Sequence, residues 1–395
     1  MKSYQGWLLS GVLLALVIQF RLAELTKAVE DKIRDELKKF IPASATENEK
    51  KELEKNIRLI IYTLQNSKGM KNYKSKSYLG LRSSGVLVEL ENSSKETFLA
   101  KVVIDADKKY QICNIEKVIQ ELNSKRVSYV NVFKEFINYN GTDNTSNFYS
   151  CIVVTERPDQ DLDHTQLFFR DDSKSIVENS KKMFRFFGRV AQSFAEMHFR
   201  TNVLHGGINP ETIMVNIKKV SEGVFDLVPV ITDFSLRLLN PEKKDLPDEQ
   251  LRYMQGYRPP EMLSVMMRGK EALESLWYAN WKTYKFSEEF TEDVYALGKT
   301  IRQLLIIHFS FLSFGECQDL ELENIYTQMM KVKEVDDPQS NTTKKRIRPN
   351  MKEVLGMFIN AMKKCYKDDI DPLDQEFLTQ AQESLAELQK NILIV

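Results

Sequence analysis

Hydrophobic positions change their period several times along the chain. Residues 7–20 (WLLSGVLLALVIQF) form an apolar run between Lys2 and Arg21. About 14 residues is short for a bilayer crossing and suits the apolar centre of a secretory leader, with Ala23 as its last residue. An uncleaved anchor and an ordinary buried helix are the alternatives. Leu22, Leu25, Val29, Ile33, Leu37 and Phe40 then recur every three or four positions, which predicts an amphipathic helix stopped by Pro42. Thr46 with Glu49 forms a capping box opening a second helix, with Leu53, Ile57, Ile60, Ile61 and Leu64 on its apolar side. The polar stretch Asn66–Ser77 reads as a linker.

From Tyr78 to about Val154 the pattern is strand-like. GVLVEL, TFLAKVVI, VNVFKEFI and CIVV are short β-rich runs, interrupted by a helix-like interval at Ile115–Leu122. From about Val177 helical periods dominate, as in MFRFFGRVAQSFAEMHF, and Asp374–Leu393 is again amphipathic through Phe377, Ala381, Leu385, Leu388 and Ile392. The pattern predicts an α+β chain, with a small β-rich lobe ahead of a larger helical one.

Composition narrows this only slightly. At 395 residues and 42% hydrophobic, the chain holds one two-lobed domain of about 250–300 residues with extensions. Lys plus Arg (56) balances Asp plus Glu (56), which removes any global field favouring nucleic acid. The four cysteines, Cys113, Cys151, Cys317 and Cys365, are too few and too scattered for a disulfide scaffold, and no pair has zinc spacing. In an oxidising compartment Cys317 and Cys365 would bridge; the alternative is four buried free thiols. Sequons at Asn92, Asn140, Asn144 and Asn341 are compatible with a lumenal domain, whereas the Lys and Arg following the apolar run favour a cytoplasmic C-terminal side if that run is an anchor. Secretory entry is the expectation, with a membrane-anchored form as the alternative.

Candidate chemistry lies in an ordered series of motifs. Tyr78–Val88 (YLGLRSSGVLV) carries Gly80 and Gly85 with Arg82 between them, and FLAK ends on Lys101. Glu116 follows, with Glu121 as a second acidic candidate, and CIVVTERPDQDL holds Thr155 and Glu156. Leu204–Val215 (LHGGINPETIMV) precedes ITDFS with Asp233 and Phe234, RPPEM with Glu261, DVYALG with Asp293 and Gly298, and RPNMKEVL with Arg348. This series resembles the eukaryotic protein-kinase superfamily from Tyr78 to about Cys365.

The resemblance implies a protein-kinase-like bilobal fold with an N-terminal helical extension. Its boundaries are 1–23 for a signal peptide or anchor, 24–72 for the extension and linker, 73–157 and 158–365 for the two lobes, and 366–395 for a C-terminal helical tail. It places Gly80, Arg82 and Gly85 in the loop over ATP phosphates, with Arg82 replacing the middle glycine. Lys101 is then the phosphate-pairing lysine, Glu116 its helix partner, Thr155 the gatekeeper, Glu156 the first hinge residue and Asp233 a Mg²⁺ ligand. Leu99 stands where a small residue covers the adenine ring. His205 and Phe234 fit the hydrophobic spine, Asp293 anchors the catalytic loop through its backbone, and Glu261 with Arg348 forms an ion pair.

The same alignment shows what is missing. The proton-accepting aspartate of the catalytic loop is Gly207, the phosphate-steadying lysine is Asn209, and the metal-holding asparagine is Thr212. The activation-segment threonine falls at Met254, and the phosphate-receiving arginine at Gly206. Residues 233–261 contain no Thr, and Ser235 is their only Ser. Tyr253 and Tyr257 read as packing residues. A general base contributes about 10²–10⁴-fold to such a reaction, and glycine cannot act as one.

The expectation is therefore a pseudokinase acting as a scaffold or allosteric partner. Its protein partner would bind through the N-terminal helices or the C-lobe, with no nucleic acid and with membrane contact through residues 7–20. The alternatives are an unorthodox kinase transferring phosphate from ATP to Ser/Thr, with an acid such as Glu211 recruited, and an ATP-sensing switch without turnover. ATP and Mg²⁺ are the implied cofactors; against them stands a purely structural Lys101–Glu116 pair.

Overall fold

The computed structural model describes residues 27, 31–35, 47–82, 85–105, 112–143, 146–162, 175–201, 203–222, 224–233, 257, 291–309, 315–331 and 348–390. The apolar run 7–20, Ala23, Pro42, Thr46, Asn144, Phe234, Ser235, Tyr253, Met254, Glu261, Asn341 and Ile392 lie outside the described residues. The chain is α+β, with a five-stranded antiparallel sheet towards its N-terminus and helices dominating later. It divides into two compact units, residues 1–117 with 133–157, and residues 118–132 with 158–395.

In the first unit, α1 (Glu47–Asn66) and a 3₁₀ turn (Lys68–Asn72) lead into the sheet. Its strands are β1 (Tyr73–Arg82), β2 (Gly85–Asn92), β3 (Thr97–Asp105), β4 (Phe133–Asp143) and β5 (Ser146–Glu156), in the order β1-β2-β3-β5-β4. Strand side chains alternate between faces. Val86, Val88 and Leu90 of β2, Ala100 and Val102 of β3, and Ile152 and Val154 of β5 share a core with Ile57, Ile60, Ile61 and Leu64 of α1. The interleaved residues Leu87, Leu99, Val103, Cys151 and Val153 are buried as well. A sheet covered on both faces explains why GVLVEL and CIVV read as unbroken apolar runs. The apolar side of α1 is thus committed to the sheet. Thr63 Oγ1 adds a buried 2.8 Å hydrogen bond to Ser150 Oγ.

The stretch Asn66–Ser77 is not a linker. Ser67 Oγ donates to the Thr63 carbonyl at 2.6 Å, the 3₁₀ turn follows, and β1 pairs with β2 from Tyr73 onward. Tyr73 holds that start, its ring edge-on to Phe98 and its hydroxyl donating to Glu135. The helix expected at Ile115–Leu122 is longer, α2 (Ile112–Arg126), with Lys125 and Arg126 in the last turn where the helix dipole favours cations.

In the second unit, α3 (Ile176–Glu196) opens on a capping box between Ser175 and Glu178. Against it pack α6 (Met351–Cys365) and α7 (Pro372–Lys390), while α5 (Glu316–Met329) packs on α6 and on α4 (Thr291–Phe309), all contributing to one core. Phe184, Phe187, Val190 and Phe194 of α3 join Val354 and Phe358 of α6 and Phe377 and Ala381 of α7 in one core. The C-terminal helix is therefore core, not an appended tail. Three short strands, β6 (Gln160–Asp161), β7 (Ile213–Ser221) and β8 (Val224–Ile231), form a second antiparallel sheet. Val130 bridges to Ile231, with Asn131 N–H donating to the Ile231 carbonyl at 3.0 Å.

The free-thiol alternative is overturned, since none of the four cysteines is free. Cys317–Cys365 joins α5 to α6, and Cys113–Cys151 joins the start of α2 to β5. The second bridge was not expected, because its 38-residue separation gives no hint that helix and strand meet on one sheet face. Both are consistent with an oxidising compartment. Among the described residues no helix is long and apolar enough to cross a membrane.

If α7 is part of the core, Phe377→Ala should lower the stability of the second unit by about 3–5 kcal/mol in chemical denaturation. A loss below about 1 kcal/mol would show that α7 merely rests on the surface.

Candidate functional site

Lys101 lies mid-strand in β3, opposite Leu87 of β2 and Val153 of β5. Its Nζ is 2.7 Å from Glu116 Oε1, with 6% and 0% of the two side chains exposed. Of the two carboxylates weighed as its partner, Glu116 makes this contact. The pair is tolerated in the interior because the attraction between the two charges offsets the cost of taking both out of water. The Cys113–Cys151 bridge fastens α2 to the sheet one helical turn before Glu116. Lys117 of the same helix stands over the Phe136 ring.

Leu99 is buried, and its carbonyl accepts from Thr155 Oγ1 at 3.3 Å. Glu156 pairs with Lys134 near the surface. Gly80 takes φ 140° at an irregularity in the β1–β2 register, and a Cβ on Gly85 would meet the Val102 carbonyl at 2.1 Å. Strand geometry therefore accounts for both glycines without a ligand. Arg82 ends β1 opposite Gly85.

Glu89 was not singled out from the sequence, although it is the charged residue inside the apolar run GVLVEL. It is buried on β2 and contacts Ser77, Lys76 and Arg157. Burial pushes its carboxyl up, but the Ser77 and Lys76 hydrogen bonds and the Arg157 charge outweigh that and hold it below the usual range.

In the second unit the loop before β7 is organised by Asp293, in the first turn of α4. The Asp293 carboxylate is fully buried and accepts from His205 N–H at 2.8 Å, Gly206 N–H at 2.8 Å and His198 Nε2 at 2.9 Å. Burial alone would raise its pKa. The His198 hydrogen bond, the pull of His198 and His205, and the Gly206 N–H together bring it below the ordinary value. His205 Nδ1 accepts from Gly207 N–H at 3.2 Å, which places the ring proton on Nε2 for donation to the Thr232 carbonyl at 2.9 Å. His198 went unremarked in the sequence; it lies in a π-helical turn, Met197–Thr201, that closes α3.

The loop then folds onto itself. Gly206 has φ 68°, a left-handed conformation suited to glycine. Gly207 offers only its backbone, and its carbonyl accepts from Asn209 Nδ2 at 3.0 Å and Thr212 Oγ1 at 3.3 Å. Asn209 Oδ1 accepts from Glu211 N–H at 2.8 Å, while Thr212 Oγ1 accepts from Asn209 N–H at 3.1 Å. Both side chains serve as loop fasteners. Glu211 itself is exposed.

Asp233 follows β8 with φ 54° and is partly exposed. The residue aligned with a second metal ligand, Thr212, has its hydroxyl engaged inside the loop, so a two-metal arrangement does not fit these residues. Among the described residues, no three His, Cys, Asp or Glu side chains cluster as metal ligands. Tyr257 is buried, with its hydroxyl donating to Gln303, and Arg348 lies over the Tyr295 ring at 5.0 Å.

Lys101→Ala or Glu116→Ala should each cost about 3–5 kcal/mol, whereas Lys101→Met with Glu116→Leu should cost less than either alone. Additive losses would show that the residues are not energetically coupled. For Asp293, a folded-state pKa below the ordinary 3.8 means its contribution is present above that value and is lost as pH falls through the lower folded value. Asp293→Asn should therefore flatten the acid limb of the stability–pH curve; an unchanged limb would show that Asp293 does not contribute to it.

No protein-family model matches the chain, and a search of curated proteins returns no significant relative.

Proposed function

We propose that this chain is a protein-kinase-like, bilobal protein of the secretory pathway that does not transfer phosphate and acts as a scaffold or allosteric partner for another protein. One observation carries the reading. At the loop positions where the resembled family keeps its proton acceptor, phosphate lysine and metal amide, Gly207 has no side chain and Asn209 and Thr212 bond back to the loop. At these three positions no side chain is available to take a hydroxyl proton or steady a transferring phosphoryl group. The features that persist, Asp293 beneath His205–Gly206 and the Lys101–Glu116 pair, hold shape without a substrate. The two disulfides support the compartment.

The Lys101–Glu116 pair favours one further reading, a nucleotide-sensing switch without turnover. A lysine held mid-strand by a helix carboxylate, Nζ to Oε1 at 2.7 Å, is the arrangement that the resembled family uses at a nucleotide phosphate.

The test combines phosphotransfer and ligand-induced stabilisation on the full chain. No transfer to Ser, Thr or Tyr is expected at any Mg²⁺ or Mn²⁺ concentration, and millimolar MgATP should leave the unfolding temperature unchanged. Turnover that disappears in Asp233→Ala would defeat the proposal in favour of an unorthodox kinase. A rise of several degrees that is lost in Lys101→Ala, without turnover, would establish the switch instead.

A further inference from the structure

Among the described residues the five-stranded sheet ends on β4, which is hydrogen-bonded to a neighbour, β5, on one side only. Its side chains alternate, with Ile137 and Gly141 buried and Asn138 and Asn140 exposed. Asn140–Gly141–Thr142 has the Asn-X-Thr acceptor pattern. Gly141 lies against the Tyr139 and Phe148 rings, where a Cβ would meet them at 2.3 and 2.9 Å. Asn140, one residue earlier, therefore projects from the opposite face. An outer strand leaves room for a bulky substituent that a central strand does not.

Asn92–Ser93–Ser94, at the β2–β3 turn, provides the contrast. Asn92 Oδ1 accepts from Ser94 N–H at 2.9 Å and Glu96 N–H at 3.0 Å, and its Nδ2 donates to Glu96 Oε2 at 2.7 Å. That amide fastens its own turn.

We propose that Asn140 carries an N-linked oligosaccharide in the folded, disulfide-bonded protein, an inference that rests on the secretory reading above. The co-reactant is an oligosaccharide carried on a lipid pyrophosphate. A bond forms between Asn140 Nδ2 and the anomeric carbon of the first sugar, and the bond from that carbon to the lipid-pyrophosphate oxygen breaks. The amide loses one proton to base, and the lipid pyrophosphate departs with the electron pair. The product is bulky and hydrophilic, as an exposed site requires.

The test uses the full chain produced through the secretory route of a eukaryotic cell, with peptide mapping before and after treatment with peptide-N-glycosidase. The peptide containing residue 140 should be absent at its unmodified mass before treatment and appear afterwards with aspartate at that position. Asn140→Gln should remove one glycan-sized step from the intact mass, and Asn92→Gln should leave that step in place. Secreted, disulfide-bonded protein with unmodified Asn140 overturns the proposal and leaves the secretory reading standing, as does a glycan on Asn92 alone. Protein held in the cytosol with reduced cysteines overturns the secretory reading, and the glycan with it.

Discussion

The loop of the second unit depends on a single buried carboxylate. Asp293 takes three donors, two of them consecutive backbone N–H groups, and so fixes the chain direction at His205–Gly206. Everything downstream inherits that direction: the left-handed Gly206, the His205 bond to Thr232, and the self-closing turn at Gly207–Thr212. A carboxylate placed in an apolar interior is costly unless its lone pairs are filled. Filling them with backbone donors converts that cost into a constraint on loop shape. The loop holds its shape by its own bonds, with no substrate needed to order it.

The first unit solves a comparable problem on a sheet. One face is sealed by α1 and its aliphatic side chains, whereas the other must accommodate Lys101 and Glu89 among apolar neighbours. Each charge there is matched locally, Lys101 by Glu116 and Glu89 by Lys76 and Arg157. Internal matching of this kind is compatible with a surface that recognises another protein, and it makes no demand for a small ligand.

Much of the architecture was legible in the sequence, because periodicity reports which side of an element is apolar. The strand runs, the long helical second half and the apolar side of α1 are all visible in this way. What periodicity cannot report is the partner of that side: a helical pair ahead of a folded domain most often packs on it, but nothing in α1 names the sheet as the surface it covers. Tyr73 shows the same limit: its anchor points, Phe98 and Glu135, are remote in sequence, and the polar residues after it disguise a strand as a linker. Cys113 and Cys151 were hidden for the same reason. In the loop, the residue types at 207, 209 and 212 were readable, but their bonds to one another depend on a turn that only the folded backbone supplies. Glu89 had a signal, a lone charge in an apolar strand, and it was passed over.

The position of Cys113 has a mechanical consequence for α2. A helix tied covalently to a strand within a turn of its carboxylate cannot rotate away without carrying that strand along. The bridge confines Glu116 near Lys101 at a high effective concentration, so re-forming the contact is far less demanding than for an untethered helix. Helix displacement is then removed as a degree of freedom unless two electrons are delivered to the sulfurs.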